Sequence, residues 1–316
     1  MSGHHFQLHT DKITISTKGE FSETFPAGVY TIEASMDGVF FTKVKIVSDQ
    51  VIPVANSPVA DIINDIAHFM KPEIKAKYKE YGFVHKRGVL MHGKGGTGKS
   101  TTIKQIVESV VNDGGIVFFN ANPKLLAAVL PLIREKSPEA LICVVYEEFD
   151  EWVGRDASSM LSFLDGELQV EDIVFLAATN YISKIPERIK NRPSRFAKVV
   201  ELHAPDENFR REFLKRKLKG DDLLRLEEFV EATDGFVVDQ LKDVVISVCC
   251  VGTSLHEAVN KLKEMSEKGV GIDDYVETST KRELDRFTKD IIDLQRDFGL
   301  KKLGVKLLEF NDERDN

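Results

Sequence analysis

The segment HGKGGTGKS, residues 92–100, follows the apolar run VLM (89–91) and precedes a stretch whose apolar residues recur at helical spacing. It fits the pattern G-x-x-x-x-G-K-[ST], with Gly93 and Gly98 as its glycines. Glycines let backbone N–H groups turn inward around an anion, and a helix N-terminus adds partial positive charge. A strand, a glycine-rich loop and a helix in this order therefore predict a cradle for the phosphates of a nucleoside triphosphate.

The loop as a whole is the predicted nucleotide-binding segment. Lys99 should reach the β- and γ-phosphates, and the Ser100 hydroxyl should coordinate Mg²⁺. The predicted cofactor-binding residues are Gly93, Lys94, Gly95, Gly96, Thr97, Gly98, Lys99, Ser100 and Thr101.

Outward from the loop, short apolar runs alternate with helical stretches up to about residue 204. These runs are VLM (89–91), IVFF (116–119), LICVVY (141–146), IVFLAA (173–178) and KVVEL (198–202). Near-continuous apolar strands separated by helices are typical of a parallel sheet buried on both faces. The predicted fold class is therefore α/β, a P-loop parallel sheet with helices on both of its faces.

The two ends of the chain have a different character from this central part. Alternating runs on either side of Asp37-Gly38 predict a hairpin in a small antiparallel β module. After Pro205, four helical stretches without a convincing strand predict a small helical domain. We therefore expect four units: a β module (1–55), the α/β nucleotide-binding domain (56–204), a helical lid (205–270) and a C-terminal helical tail (271–316).

Polar residues follow two of the predicted strands and precede a third. Glu147 and Glu148 end one strand, where an open α/β sheet binds ligands, so one acid can hold Mg²⁺ and the other can orient an attacking water. Asn180 ends the next strand and can bond the γ-phosphate or that water. Arg192 and Arg195 precede the last strand, and they are either surface charges or arginine fingers that stabilise transition-state charge.

Composition, charge and apolar patterning argue against several classes of protein. The formal net charge of −8 and the lack of a basic-aromatic stretch argue against a nucleic-acid partner. No apolar run reaches the length of a membrane span and no signal-peptide pattern opens the chain. Three cysteines without metal-ligand spacing indicate reduced thiols in the cytoplasm, with Cys249 and Cys250 expected to be buried in the core.

These motifs, in this order, resemble the AAA family of ATPases over roughly residues 57–255. The resemblance rests on KRGVLMHGKGGTGKS, VVYEEFDEW, LSFLDGE with DIVFLAATN, RIKNRPSRFAKVVEL and TDGFVVDQLKDVV. Within the family, YGFVHKRGVLMHG and SSMLSFLDGE are similar to the subgroup of the mitochondrial Rieske-protein translocase.

The resemblance implies ATP and Mg²⁺ as ligands, with Ser100 and Glu147 at the metal. It also implies that Glu148 polarises water, that Asn180 senses the γ-phosphate, and that Arg192 and Arg195 act on the nucleotide of a neighbouring subunit. Hydrolysis would then need a ring, expected to be a homohexamer. Glu147 stands where the family carries aspartate, and Lys94-Gly95 stands where it prefers prolines.

Three functions remain open from the sequence. The first is an ATP-hydrolysing ring that remodels, disassembles or translocates a protein partner. The second is a nucleic-acid motor or loader, and the third is a scaffold in which nucleotide only holds the ring together. The interval between Phe119 and Leu141 has no aromatic residue and no glycine, so an aromatic pore loop that threads substrate is not expected.

Overall fold

The structure, a computed structural model, describes residues 5–8, 12–16, 24–35, 38–45, 58–165 and 170–268. Nine strands in this part of the chain form one sheet, in the order β1-β2-β4-β3-β6-β7-β8-β5-β9. They are β1 (His5–Leu8), β2 (Lys12–Ser16), β3 (Gly28–Ser35), β4 (Gly38–Lys43), β5 (Lys86–His92), β6 (Ile116–Phe119), β7 (Ile142–Tyr146), β8 (Ile173–Thr179) and β9 (Lys198–Glu201).

The half of the sheet from β6 to β9 is parallel throughout. Its five strands coincide with the five apolar runs of the sequence. Every residue of β7 and β8 is buried, because helices cover both faces of the sheet. This confirms the predicted α/β P-loop fold.

The N-terminal strands extend this sheet instead of packing on it as a separate body. β3 and β4 form an antiparallel hairpin in which Ser35 is paired with Gly38, while β3 also pairs in parallel with β6. Phe25 and Phe41 pack edge to face at 5.0 Å, and both lie against Phe118 of β6. The N-terminal strands therefore share a core with the nucleotide-binding sheet, although the division into four domains stays a prediction.

Helices flank the parallel strands and continue beyond them. The helices are α1 (Pro58–Phe69), α2 (Pro72–Glu80), α3 (Lys99–Asn112), α4 (Pro123–Lys136), α5 (Phe149–Arg155), α6 (Ala157–Asp165), α7 (Glu187–Lys190), α8 (Glu207–Lys217), α9 (Asp221–Leu224), α10 (Leu226–Ala232), α11 (Val238–Val245) and α12 (Leu255–Lys268). α1 begins at Pro58, where a first-turn proline predicts a helix start.

Helices α8 to α12 surround a hydrophobic cluster of their own. Its fully buried members include Leu214, Phe229, Leu241 and Val244. A π-helical stretch, Ile246–Val251, continues α11. The helices after Pro205 thus have their own core, as the loss of strand patterning at that point indicates.

The expectation that Cys249 and Cys250 are buried is wrong. Both are exposed, whereas Cys143 is buried in β7, and all three thiols are free. The core-facing side of α11 carries Leu241 and Val244, and the π-helical stretch places the two cysteines away from that side.

The predicted C-terminal tail, 271–316, lies outside the described residues, as do Gly166 and the interval 46–57. Among the described residues, the helices are all too short or too polar to cross a bilayer.

Candidate functional site

The glycine-rich loop joins β5 to α3 and has the backbone that the motif requires. Gly93, Gly96 and Gly98 have φ angles of 143°, 78° and 97°, which favour glycine. A Cβ on Gly93 would lie 2.1 Å from the Leu202 carbonyl oxygen, so the chain passes too close for any side chain there. The Thr97 hydroxyl donates to the Lys94 carbonyl at 3.0 Å and closes the loop from within.

Lys99 is the first residue of α3 and is folded into the loop. Its ammonium donates to the carbonyl oxygens of Gly93 at 2.7 Å and Lys94 at 2.8 Å. Burial lowers the pKa of this ammonium, and the negative charge of Asp239 partly opposes the shift. The lysine is therefore held beside the loop by backbone oxygens, which phosphate oxygens can replace when a nucleotide binds.

The two acids follow β7 and reach the same space as the loop. Glu147 accepts no hydrogen bond at its buried Oε1 from any described residue, and its backbone N–H donates to the Asn120 side chain at 2.9 Å. Glu148 has φ 52° and ψ 47°, a left-handed conformation that is rare for a residue with a side chain. Unusual backbone of this kind is concentrated at functional sites, because surrounding structure must hold it.

Asn180 stands at the end of β8, beside the acids. The preceding residue, Thr179, is fixed from both sides: its hydroxyl donates to Asp150 at 2.5 Å and accepts from the Tyr181 backbone N–H at 2.9 Å. Sequence reasoning missed this Asp150–Thr179 pair, which anchors the turn that carries Asn180.

Loop, acids and amide line one cavity of about 180 Å³. Its lining residues are Gly95, Gly96, Gly98, Lys99, Ser100, Thr101, Glu147, Glu148, Ala178, Thr179, Asn180 and Asp239. Three of the predicted nucleotide-binding residues, Gly93, Lys94 and Thr97, belong to the loop but do not line the cavity. The strand ends thus bring together residues that lie up to 85 positions apart, from Gly95 to Asn180.

The residue that sequence reasoning missed altogether is Asp239. It lies in the first turn of α11, where its backbone N–H donates to the Gly96 carbonyl at 3.2 Å. The helices after Pro205 therefore touch the phosphate loop directly and add a third carboxylate to the cavity.

The lining residues fit a nucleotide with Mg²⁺. An unpartnered buried carboxylate oxygen on Glu147 and the Ser100 hydroxyl are the hard oxygen ligands that Mg²⁺ prefers. Inward-facing loop amides at the start of α3 suit a phosphate.

The two arginines lie away from their own chain's cavity. Arg195 is 5% exposed, and its guanidinium donates to both carboxylate oxygens of Asp165 at 2.6 and 2.5 Å and to the Arg188 carbonyl. Arg192 is more accessible, with 59% of its side chain exposed and only long contacts of 3.4 Å to Asp165. Sequence reasoning treated the pair as equivalent, but Arg195 would have to break the contacts of its buried guanidinium to reach another molecule, whereas Arg192 would not.

Fold and cavity together define a P-loop nucleotide-binding protein. The profile of the ATPase family associated with various cellular activities (AAA) matches residues 89–204. Residues 89–204 are therefore similar to an AAA ATPase domain, and the residues that line the cavity fit ATP with Mg²⁺.

Curated relatives are similar over more of the chain than that domain alone. The proteasome-activating nucleotidase of Aeropyrum pernix is 27% identical in an alignment of 240 residues that covers 65% of this chain and 58% of that protein. The protein of the same name from Sulfurisphaera tokodaii is 24% identical over 67% of this chain and 62% of its own length. That from Saccharolobus solfataricus is 23% identical over 62% of this chain and 57% of its own length. The chain thus spans about three fifths of the length of these relatives.

Proposed function

We propose that this chain hydrolyses ATP and uses the energy to remodel a protein partner. The observation that carries the proposal is the convergence of Lys99, Glu147, Glu148 and Asn180 on one cavity beside the phosphate loop. Few reactions other than phosphoryl transfer need an anion-binding loop, a metal-binding oxygen and a free acid within one cavity.

In the proposed reaction, each residue has a distinct task. The loop amides and Lys99 hold the β- and γ-phosphates, and Ser100 and Glu147 hold Mg²⁺, which neutralises charge on the phosphates. Glu148 orients the attacking water and takes up its proton, while Asn180 bonds the γ-phosphate or that water. Glu148 has a left-handed backbone and lines the cavity.

Phosphate release from ATP tests this proposal. We expect Glu148→Gln to lower turnover at least about 100-fold, the contribution typical of a general base, while nucleotide affinity is kept. Lys99→Ala should lose nucleotide binding itself. Glu151→Gln is the matched control, since this neighbouring acid is exposed and pairs with Arg155. Equal, near-zero release by the wild type and Glu148→Gln would instead favour a scaffold held together by nucleotide.

We further propose a homo-oligomeric ring, expected to be a hexamer, in which arginines act on the neighbour's nucleotide. Arg192 supports this because it is exposed and remote from its own chain's cavity. The proposed role of Arg195 is indirect, since its guanidinium is occupied by Asp165.

A protein is the partner that we favour over a nucleic acid. The relatives are named proteasome-activating nucleotidases, which ties them to a protein assembly. The net charge of −8 disfavours binding to a phosphate backbone. The interval from β6 to β7 folds mostly as α4, with connections of three and five residues. It therefore offers no long aromatic loop, and threading is not part of this proposal.

Two finer assignments also remain proposals. The similarity of YGFVHKRGVLMHG and SSMLSFLDGE to the Rieske-protein translocase subgroup is kept as a prediction about the nearest relatives. A cytoplasmic location is kept as a prediction based on the free thiols.

A further inference from the structure

One arginine in the helices after Pro205 is buried although it does not line the cavity. Arg210 of α8 is 5% exposed. Its Nη1 donates to the Pro205 carbonyl at 3.3 Å, and its Nη2 lies 2.8 Å from Oδ1 of Asp234. Its Nε is buried and has no hydrogen-bond partner among the described residues. A guanidinium is costly to bury, and an apolar side chain of similar volume is often at least as stable, so packing alone does not explain this arginine.

The two partners of Arg210 lie in segments that both lead from the phosphate loop. Pro205 lies between β9 and α8, three residues after Leu202, whose carbonyl packs against Gly93. Asp234 lies in the connection from α10 to α11. Arg210 thus ties the segment that follows Leu202 to the segment that precedes α11.

The path from Asp234 to the phosphate loop is short and closely packed. Phe236 is 4% exposed, so the connection is anchored in the hydrophobic cluster of these helices. A Cβ on Gly96 would lie 2.8 Å from the Val237 side chain and 3.3 Å from Oδ2 of Asp239. The backbone N–H of Asp239 donates to the Gly96 carbonyl at 3.2 Å. A shift of Asp234 would therefore reach Asp239 with little slack.

We infer that Arg210 is a positioning residue for the nucleotide site. Through Asp234 it holds the start of α11, so that the Asp239 N–H bonds Gly96 and the Asp239 carboxylate lines the cavity. The first of these effects concerns the nucleotide-free protein. The second bears on function only if ATP binds in this cavity, and it therefore rests on the proposed function. A merely structural role would instead act on the helices after Pro205 as a whole.

Hydrogen exchange of the full-length, nucleotide-free protein tests the first effect. Asp234→Ala removes a partner of Arg210 at a position where 83% of the side chain is exposed. We expect the Asp239 N–H to exchange at least about 10-fold faster, because the loss of one hydrogen bond of ordinary strength shifts local opening by roughly that factor. The N–H of Leu218, which donates to the Leu214 carbonyl at 2.8 Å within the cluster, should keep its rate. No change at Asp239, or equal acceleration at Leu218, would overturn the positioning role.

Substitutions of the arginine itself provide a rescue test. Arg210→Met fills similar space without a donor, so it should accelerate exchange at Asp239 as Asp234→Ala does. Arg210→Lys keeps the charge and a donor for Asp234, so it should recover part of the protection. Glu228→Ala is the matched control, because it removes an exposed acid that pairs with Arg225 at 2.8 Å in the same group of helices. Equal rates in the two Arg210 variants, or acceleration by the control, would contradict the inference.

Titration with a fluorescent ATP analogue in EDTA tests the second effect. In the wild-type background, Asp239→Asn should tighten binding about five-fold, because it removes a like charge from the cavity. In the Asp234→Ala background the same substitution should change affinity less than about two-fold, since the carboxylate is no longer held there. Equal gains in both backgrounds, or no gain in either, would overturn the link from Arg210 to the nucleotide. A wild type that binds no analogue would overturn the proposed nucleotide site, whereas the exchange rates would still decide whether Arg210 holds Asp239.

Discussion

The Arg195 guanidinium holds the Asp165 carboxylate in a two-pronged contact, with Nε–Oδ1 at 2.6 Å and Nη2–Oδ2 at 2.5 Å. The hydrogen bond from Arg195 is the main cause that holds the pKa of Asp165 below its usual range. The contact joins the end of α6 to the segment before β9, so it fixes the position of the neighbouring Arg192.

The two arginines should therefore respond differently to alanine substitution. We expect Arg195→Ala to lower the free energy of unfolding by about 1–3 kcal/mol, because it removes a buried guanidinium that donates to Asp165 and to the Arg188 carbonyl. Arg192→Ala should change it by less than about 0.5 kcal/mol, since its ion pair is long and exposed. Chemical denaturation measures both values.

For phosphate release we expect the reverse order, with Arg192 more important than Arg195. We expect Arg192→Ala to abolish most phosphate release while nucleotide affinity is kept. Release should partly recover when this variant is mixed with Glu148→Gln, because each subunit supplies what the other lacks. No recovery in mixed assemblies would count against action on a neighbouring subunit.

We expect the carboxylate of Asp239 to make nucleotide binding depend more strongly on Mg²⁺. Three acids, Glu147, Glu148 and Asp239, line it against the single lysine Lys99. In EDTA, Asp239→Asn should bind ATP about five-fold more tightly than the wild type, because a screened like-charge contact is worth about 1 kcal/mol. With saturating Mg²⁺ the difference should shrink. Titration with a fluorescent ATP analogue measures it.

Asp243→Asn serves as the control for this titration. It removes the same charge from the same helix, but Asp243 is exposed and does not line the cavity. Equal gains in both variants would show that only the net charge of α11 matters.

Glycine at position 93 is a steric requirement of the fold. Gly93→Ala places a methyl group against the Leu202 carbonyl at a φ of 143°, so we expect a loss of about 2–4 kcal/mol in the free energy of unfolding. Gly154→Ala, in open space on α5, should instead gain about 0.5 kcal/mol from reduced freedom of the unfolded chain. Comparable losses in both would contradict the close approach.

A buried ion cluster at the opposite end of the sheet should govern stability in acid. Asp172 contacts His85 at 2.8 Å and Lys75 at 2.9 Å. Burial raises the pKa of its carboxyl, but hydrogen bonds from His85 and Lys75 outweigh burial, so the pKa is lowered. Its contribution is therefore complete above the unfolded value of about 3.9 and is lost as the pH falls further.

Asp172→Asn tests this assignment, because asparagine tolerates the left-handed backbone found at this position. The variant should be less stable than the wild type at pH 7 and should lose less stability between about pH 5 and pH 2. Glu139→Gln, which removes an 86% exposed partner of Lys75, should leave the acid slope unchanged. Urea midpoints across this pH range provide the measurement.

The sequence was sufficient for the parallel sheet and the phosphate loop because both depend on local pattern. Buried strands such as β7 and β8 are apolar at almost every position, and the loop needs glycine where φ is positive. Parallel strands present their carboxyl ends at one edge of the sheet. The sequence alone therefore predicts that Glu147, Glu148 and Asn180 lie close together.

Features set by tertiary contacts could not be predicted in the same way. Nothing local to β3 indicates that it pairs with β6, and nothing local to α11 indicates that Asp239 reaches Gly96. The burial of Arg195 depends on Asp165, thirty residues earlier in the chain. Cys249 and Cys250 lie in an apolar stretch, and only the π-helical turn shows that they face outward.

The parallel pairing of β3 with β6 has a mechanical consequence. β6 ends at Phe119, and the side chain of the next residue, Asn120, accepts a hydrogen bond from the backbone N–H of Glu147. A pull on the N-terminal hairpin would thus be transmitted through the backbone hydrogen bonds between β3 and β6 to the strand that precedes Asn120. Force applied at that hairpin would reach the cavity through the sheet itself.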